Sequence, residues 1–328
     1  MTVRAAGIFD LPRVTSYVSA ALRDPAWIIG CVLPAPLASG ALARWPQLLP
    51  GLFPVGSRAS VYIDTSGGAV RSAALVHEGS GPEWTLLVLV ADPDPAGADG
   101  AFRLLSSICA LAARRGVHRV FGSVPDEVRA RETFFQAGFY SYTRETWYVS
   151  AGERLGRPTG DSAGRAARSS DAHDLFRLYA STTPHAVQRA EQLSVQDFDV
   201  GRGGHAFDAP HLISGNPLAM RRAGILLERA EERVRSVAVA FRGLERHPHV
   251  LKVRTSDGDV DRARDLLRAA AADLPAGRPL GSPVRSYEDH MARALLSEGF
   301  RETVTAMLFV KELAVRIEEP ALAPVVVR

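Results

Sequence analysis

Apolar and polar positions alternate along the chain so as to predict the same succession of elements twice. Behind Asp10, Leu11, Val14, Tyr17, Val18 and Leu22 recur at helical spacing, and an aspartate caps helices well, so a helix is predicted over 11–22. A second helical stretch follows over 37–49. The period then drops to two. Segments 60–64, 70–77 and 84–91 read as strands separated by Thr65-Ser66-Gly67-Gly68 and Gly79-Ser80-Gly81-Pro82, which predicts an antiparallel meander. A loop over 92–100 leads to a long apolar helix over 101–115, stopped by Gly116. A short strand at 117–123, a charged helix over 126–137 ended by Gly138, and two strands over 139–150 complete the series.

The second half repeats this order. It predicts helices from Asp171 and over 187–193, strands at 224–228, 234–242 and 250–255, a loop over 256–259, a helix over 260–274, a strand at 279–285, a helix over 287–296 and a strand at 300–315. Individual residues keep the same register. Arg4-Ala5-Ala6 followed by Asp10 recurs as Arg165-Ala166-Ala167 followed by Asp171, an offset of 161 positions. Gly138-Phe139 recurs as Gly299-Phe300, and Trp147-Tyr148-Val149 falls opposite Leu308-Phe309-Val310. So long a period signifies two copies of one domain, not a solenoid. The expected division is 1–150 and 165–328, with a Gly-, Arg- and Ser-rich linker at 151–164.

The order of elements, closing on Gly-Phe, resembles the GNAT acyltransferase superfamily. The most specific piece is Ala130-Arg131-Glu132-Thr133-Phe134-Phe135-Gln136-Ala137-Gly138-Phe139, similar to the family's helix with an Ala, an apolar-Tyr pair and a Gly-Phe. The resemblance covers essentially the whole chain. It implies an α/β fold of two GNAT-like domains, each a mixed, mainly antiparallel twisted sheet flanked by helices. It also implies an N-acyltransferase that moves an acyl group from acetyl-CoA or another acyl-CoA to a small-molecule or peptide amine. Two other readings stay open: a degenerate binding or scaffold protein, and an enzyme of other chemistry that reuses the cleft.

In that family the third strand is splayed from its neighbour and holds the pantetheine arm, which falls here to Val90 and Ala91. The following helix start cradles the pyrophosphate with amides and glycines, which falls to Gly97, Ala98, Gly100 and Ala101. Two positions depart from the pattern, Ala96 for a basic or Gln residue and Asp99 for a glycine, and Asp92, Asp94 and Asp99 put negative charge beside an anion site. Ser256-Asp257-Gly258-Asp259-Val260-Asp261 departs further and reads as an N-capped helix, so the N-terminal copy is the expected donor-binding half. Phe134 and Leu295 stand where the family places its proton-donating Tyr, and Glu127 replaces its Asn. Glu83 and His77 are the expected acid/base residues, the alternatives being an exposed charge beside a turn and a solvated strand-end imidazole.

One segment lies outside this pattern. Asp199, His205, Asp208 and His211 stand in or beside a glycine-rich loop, which reads as a metal or substrate site, a loop covering a pocket or partner, or a surface insertion. Its spacing matches no closed zinc pattern and no Cys is near, so no metal is expected. Glu191 lies on a helix where GNAT proteins shape the acceptor pocket.

Composition narrows the picture little. With 46% hydrophobic and 23% charged residues among 328, a globular protein is expected. The 39 Lys and Arg against 36 Asp and Glu give +3 without clustering, so no nucleic-acid partner is expected. Cys31 and Cys109 sit in apolar surroundings as free thiols, and residues 1–7 lack a signal-peptide core, so a cytoplasmic protein without a membrane partner is expected.

Overall fold

The computed structural model describes residues 2–21, 28–31, 59–79, 81–126, 128–152, 155–158, 164–202, 204–213, 220–244 and 247–314. The helix predicted over 37–49 lies outside them. In the N-terminal copy the described elements are β1 (Thr2–Ala5), α1 (Leu11–Ala21), β2 (Ile28–Cys31), β3 (Ala59–Ser66), β4 (Ala69–Glu78), β5 (Glu83–Ala91), α2 (Pro95–Arg114), β6 (Arg119–Pro125), α3 (Val128–Gln136) and β7 (Tyr140–Ser150). The C-terminal copy supplies β8 (Arg165–Ala166), α4 (Ala172–Thr182), α5 (His185–Glu191), α6 (His205–Asp208), α7 (Pro210–Ile213), β9 (Met220–Ala230), β10 (Arg233–Gly243), β11 (His249–Thr255), α8 (Val260–Ala272), β12 (Leu280–Arg285), α9 (Asp289–Ser297) and β13 (Arg301–Glu312).

All these strands join one sheet in the order β1-β3-β4-β5-β6-β13-β7-β12-β11-β10-β9-β8, with β2 added on β5. The order is palindromic about the β13/β7 pair. Each copy therefore gives its last strand to the other: β13 pairs with β6 from Ala306↔Pro125 to Glu312↔Arg119, and β7 pairs with β12 from Leu280↔Ser150 to Arg285↔Glu145. This corrects the two strands expected over 139–150. There is one, and the neighbour that sequence reading placed beside it in the same copy comes from the other.

The repeated residues are those that shape the two ends of each copy. Arg4 clamps Asp10 through two parallel bonds of 2.5 and 2.7 Å, and Asp10 also accepts the Gly7 amide at 2.8 Å. Arg165 clamps Asp171 at 2.8 and 2.6 Å, and Asp171 accepts the Arg168 amide at 2.8 Å. The guanidinium holds the Asp10 carboxyl down at about 2. Gly138 and Gly299 turn at φ +81° and +79°, a conformation side chains disfavour, and each lets the following Phe amide reach back to the helix at 3.0 and 3.1 Å.

Sheet faces and helices pack accordingly. Val14 and Val18 of α1 and Leu175 and Leu178 of α4 enter one apolar cluster that runs through both copies and includes Trp147. Separate clusters lie under α2 and α3, with Leu104, Leu105 and Phe134, and under α8 and α9, with Leu266, Leu267 and Leu295. Phe134 packs edge-on to Phe139 and faces Gly122, where a Cβ would come within 2.7 Å of its ring, so this position is core. α2 is long and apolar enough to cross a membrane, but its Leu104, Leu105 and Ile108 are buried against the sheet. Cys109 is buried on that helix, and burial raises its thiol to about 11; the Cys31 side chain is outside the described residues.

Candidate functional site

The first candidate, the splayed strand of the N-terminal copy, has the expected geometry but is filled. β5 runs parallel to β6 only from Glu83↔Arg119 to Leu86↔Gly122, and Leu87 bulges out of register with β4. Beyond that point the edge of β5 is taken by β2, with Ile28↔Ala91, Ile29↔Val90, Gly30↔Leu89 and Cys31↔Val88. The backbone of Val90 and Ala91, expected along a pantetheine arm, is thus engaged by the chain's own strand.

The expected phosphate cradle is likewise engaged by the chain itself. α2 starts at Pro95, six residues before the predicted Ala101, because Pro suits the first helical position and Asp94 caps it. Asp94 accepts the Gly97 amide at 2.7 Å, so a carboxylate of the chain sits at the helix start. Gly97 and Gly100 face inward: a Cβ on Gly97 would meet the Asp92 carbonyl oxygen at 2.1 Å, and one on Gly100 would meet Asp64 Oδ2 at 3.1 Å. Ala101 is buried and Ala98 half-buried in the same helix. These small residues permit close helix-to-sheet packing.

The C-terminal copy offers the open counterpart. β11 and β12 are parallel neighbours only at His249↔Leu280 and Val250↔Gly281. From 251 to 255, β11 pairs with β10 alone among the described residues, and its other edge faces the gap. At the helix that follows, Asp259 accepts the Asp261 and Arg262 amides at 2.9 and 3.1 Å, so this anion position too is occupied by the chain.

A small cleft of about 60 Å³ opens beside this gap, walled by Leu178, Phe198, Phe207 and Val239 and floored by charged groups. Glu191, fully buried on α5, accepts the Tyr179 hydroxyl at 2.8 Å and is paired with Arg285 at the end of β12. Arg285 also reaches the His211 carbonyl at 3.3 Å and lies 3.6 Å from Glu145 of β7. Arg254 bonds Thr183, lies 3.4 Å from Glu288 and covers the Tyr179 ring at 5.4 Å. Lys252 donates to the Leu212 carbonyl, and burial, then the Arg285 charge, lower its ammonium to about 8. Burial and the Glu191 charge push Tyr179 up, so its phenol keeps its proton.

The predicted acid/base pair lies elsewhere on the sheet. Glu83 is 6% exposed, not the exposed charge of one reading, and is bound to Arg119 of β6. His77 is cross-strand from Thr85 and shares a face with Glu83. The glycine-rich loop folds into α6 and α7 and covers this spot. His205 Nε2 meets Glu83 Oε2 at 2.8 Å, and His211 Nε2 lies 3.6 Å from the same oxygen. The Glu83 carboxylate raises His205, while burial drives His211 well down. Asp208 leaves the predicted set, turning to Arg222 at 2.9 Å, and Asp199 accepts the Gly201 amide at 3.0 Å. Sequence reading sought partners within the loop, whereas Glu83 stands 122 positions earlier.

No protein-family model matches the sequence, and no curated protein matches it. Solved structures do. A tandem GNAT protein from the clavulanic acid biosynthesis pathway superposes with a TM-score of 0.53 at 11% identity, covering 96% of this chain and 99% of that one. A GCN5-related N-acetyltransferase from Sphaerobacter thermophilus gives 0.51 at 11% identity, covering 97% of each chain. The fold is that of a tandem GNAT protein.

Proposed function

We propose that the protein is an N-acyltransferase whose donor thioester lies along β11 of the C-terminal copy, with the amine entering the apolar cleft above Lys252. The observation that carries this reading is the contrast between the two gaps: the edge of β5 is engaged by β2, while among the described residues 251–255 of β11 have no strand on that edge, beside an ionisable cleft. Backbone groups free on one edge suit the amides of a pantetheine arm, as in strand addition. A neutral amine attacks the thioester carbonyl, and the C–S bond breaks as Lys252 passes its proton to the departing sulfur. The new amide nitrogen returns a proton to Lys252. A lysine near 8 matches a thiol near 8.5, the condition for efficient proton transfer.

Asp257, Asp259 and Asp261 surround the helix start where a pyrophosphate would rest, so the nucleotide end of CoA contributes little. Competition calorimetry with acetyl-CoA and S-acetylpantetheine, joined to a thiol-release assay over a panel of primary amines, tests the reading. The two donors are expected to bind within about tenfold of each other, with thiol release dependent on amine. Absence of heat from either donor at millimolar concentration would falsify it.

A further inference from the structure

The Glu83 cluster has no part in that transfer, and its chemistry differs. We propose that Glu83, His205 and His211 form a site for one divalent transition-metal ion of the zinc type, shared between the two copies. Their donor atoms all lie within 4.8 Å of one another. An ion with bonds of about 2.0–2.1 Å in tetrahedral geometry puts its donors roughly 3.3 Å apart. The observed 2.8 and 3.6 Å from Glu83 Oε2 to the two imidazoles straddle that spacing, and the two imidazole nitrogens, within 4.8 Å of each other, close on an ion by a turn of the partly exposed His205 ring.

A second observation is independent of the spacing. The His211 ring is stacked on Phe121 with centroids 3.8 Å apart, and its Nδ1 lies 3.4 Å from Thr85 Oγ1. That leaves Nε2 buried, aimed at Glu83 and without a hydrogen-bond partner. A buried ring nitrogen so placed costs free energy, and a metal bond satisfies it. Thr85 then does what an outer partner does in metal sites, fixing ring orientation and tautomer through the other nitrogen. Arg119 holds Glu83 Oε1 and presents Oε2 to the two imidazoles.

Two imidazoles and one carboxylate favour zinc, cobalt or nickel over magnesium or calcium. His205, with its side chain 32% exposed, leaves the fourth position toward solvent. The Arg119 charge opposes the ion, so affinity below that of thiolate sites is expected. Binding would rivet the 205–213 segment, whose Phe207 and Leu212 wall the acceptor cleft, onto β5 of the other copy.

The test is a Co²⁺ absorption titration of chelator-treated full-length protein, followed by Zn²⁺ displacement and a thermal-shift measurement. One equivalent of Co²⁺ should develop ligand-field bands that Zn²⁺ abolishes, and Zn²⁺ should raise Tm. His205→Ala, on the exposed side of the cluster, should remove both responses without unfolding the chain, and Asp208→Asn should keep both. The absence of a saturable Co²⁺ spectrum up to millimolar concentration, or an unchanged titration in His205→Ala, overturns the proposal.

Discussion

An Arg285→Met protein is expected to lose about 3–5 kcal/mol of folding stability, read as a fall in urea midpoint at unchanged slope. Arg285 and Glu191 are 1% and 0% exposed, so neither charge has water to fall back on. Removing the guanidinium leaves the buried Glu191 carboxylate with the Tyr179 hydroxyl but without its ion pair, and frees Glu145 across the strand exchange. The reverse substitution, Glu191→Gln, is expected to cost less, because Arg285 keeps Glu145 and the His211 carbonyl. Combining the two should recover the part of the arginine variant's loss that Glu191 causes, while Glu145 stays unpaired and keeps the rest. An Arg285→Met loss below about 1 kcal/mol, the range of exposed ion pairs, would contradict the burial described here.

Lys252→Met is expected to lower kcat at least about 10²-fold while leaving donor binding within a few-fold, the usual scale for one proton-transfer group. The wild-type kcat should fall as pH rises through about 8, because the ammonium form protonates the sulfur, and the variant should lack that limb. Stability runs the other way. The folded pKa of Lys252 lies below its unfolded value of 10.5, so the unfolded chain binds more protons between about 8 and 10.5 and stability rises with pH there. Methionine should abolish that rise and stabilise the fold near neutrality, which separates a kinetic defect from unfolding. Lys252→Arg, always charged, should not restore the rate. A variant with wild-type kcat would remove Lys252 from the chemistry.

The sequence carried the framework well because the framework is local and was written twice. Arg-Ala-Ala with Asp10 and Asp171 marked two equivalent clamps, and Gly138 and Gly299 marked two equivalent helix-ending turns. The strand exchange was not legible, since β7 and β13 carry the same apolar pattern and either fits beside β6. The proposed donor half differs from the expected one for a related reason. Gly97 and Gly100 suggested a phosphate loop, but their missing side chains serve helix packing, and the segment that fills the β5 edge is non-local.

Glu83 was picked out, as were His205 and His211, yet their convergence depends on a fold that brings the loop across the sheet. Lys252, the acid of the proposed transfer, was not singled out although a signal existed. Lys252 and Lys311 are the only lysines among 39 basic residues, and Lys252 stands in the apolar run Val250-Leu251-Lys252-Val253. A chain that uses arginine almost everywhere has kept a titratable amine at that point. Lys311 has a packing role, donating to the Ala137 carbonyl beneath Phe139.

Hydrogen exchange with and without saturating acetyl-CoA tests the division of labour between the copies most directly. The predicted result is new protection of amides within 251–255 on the open edge of β11, with 88–91 of β5 unchanged because β2 already pairs there. Protection confined to 88–91, or loss of the β2 pairing on binding, would put the donor in the N-terminal copy and contradict the account.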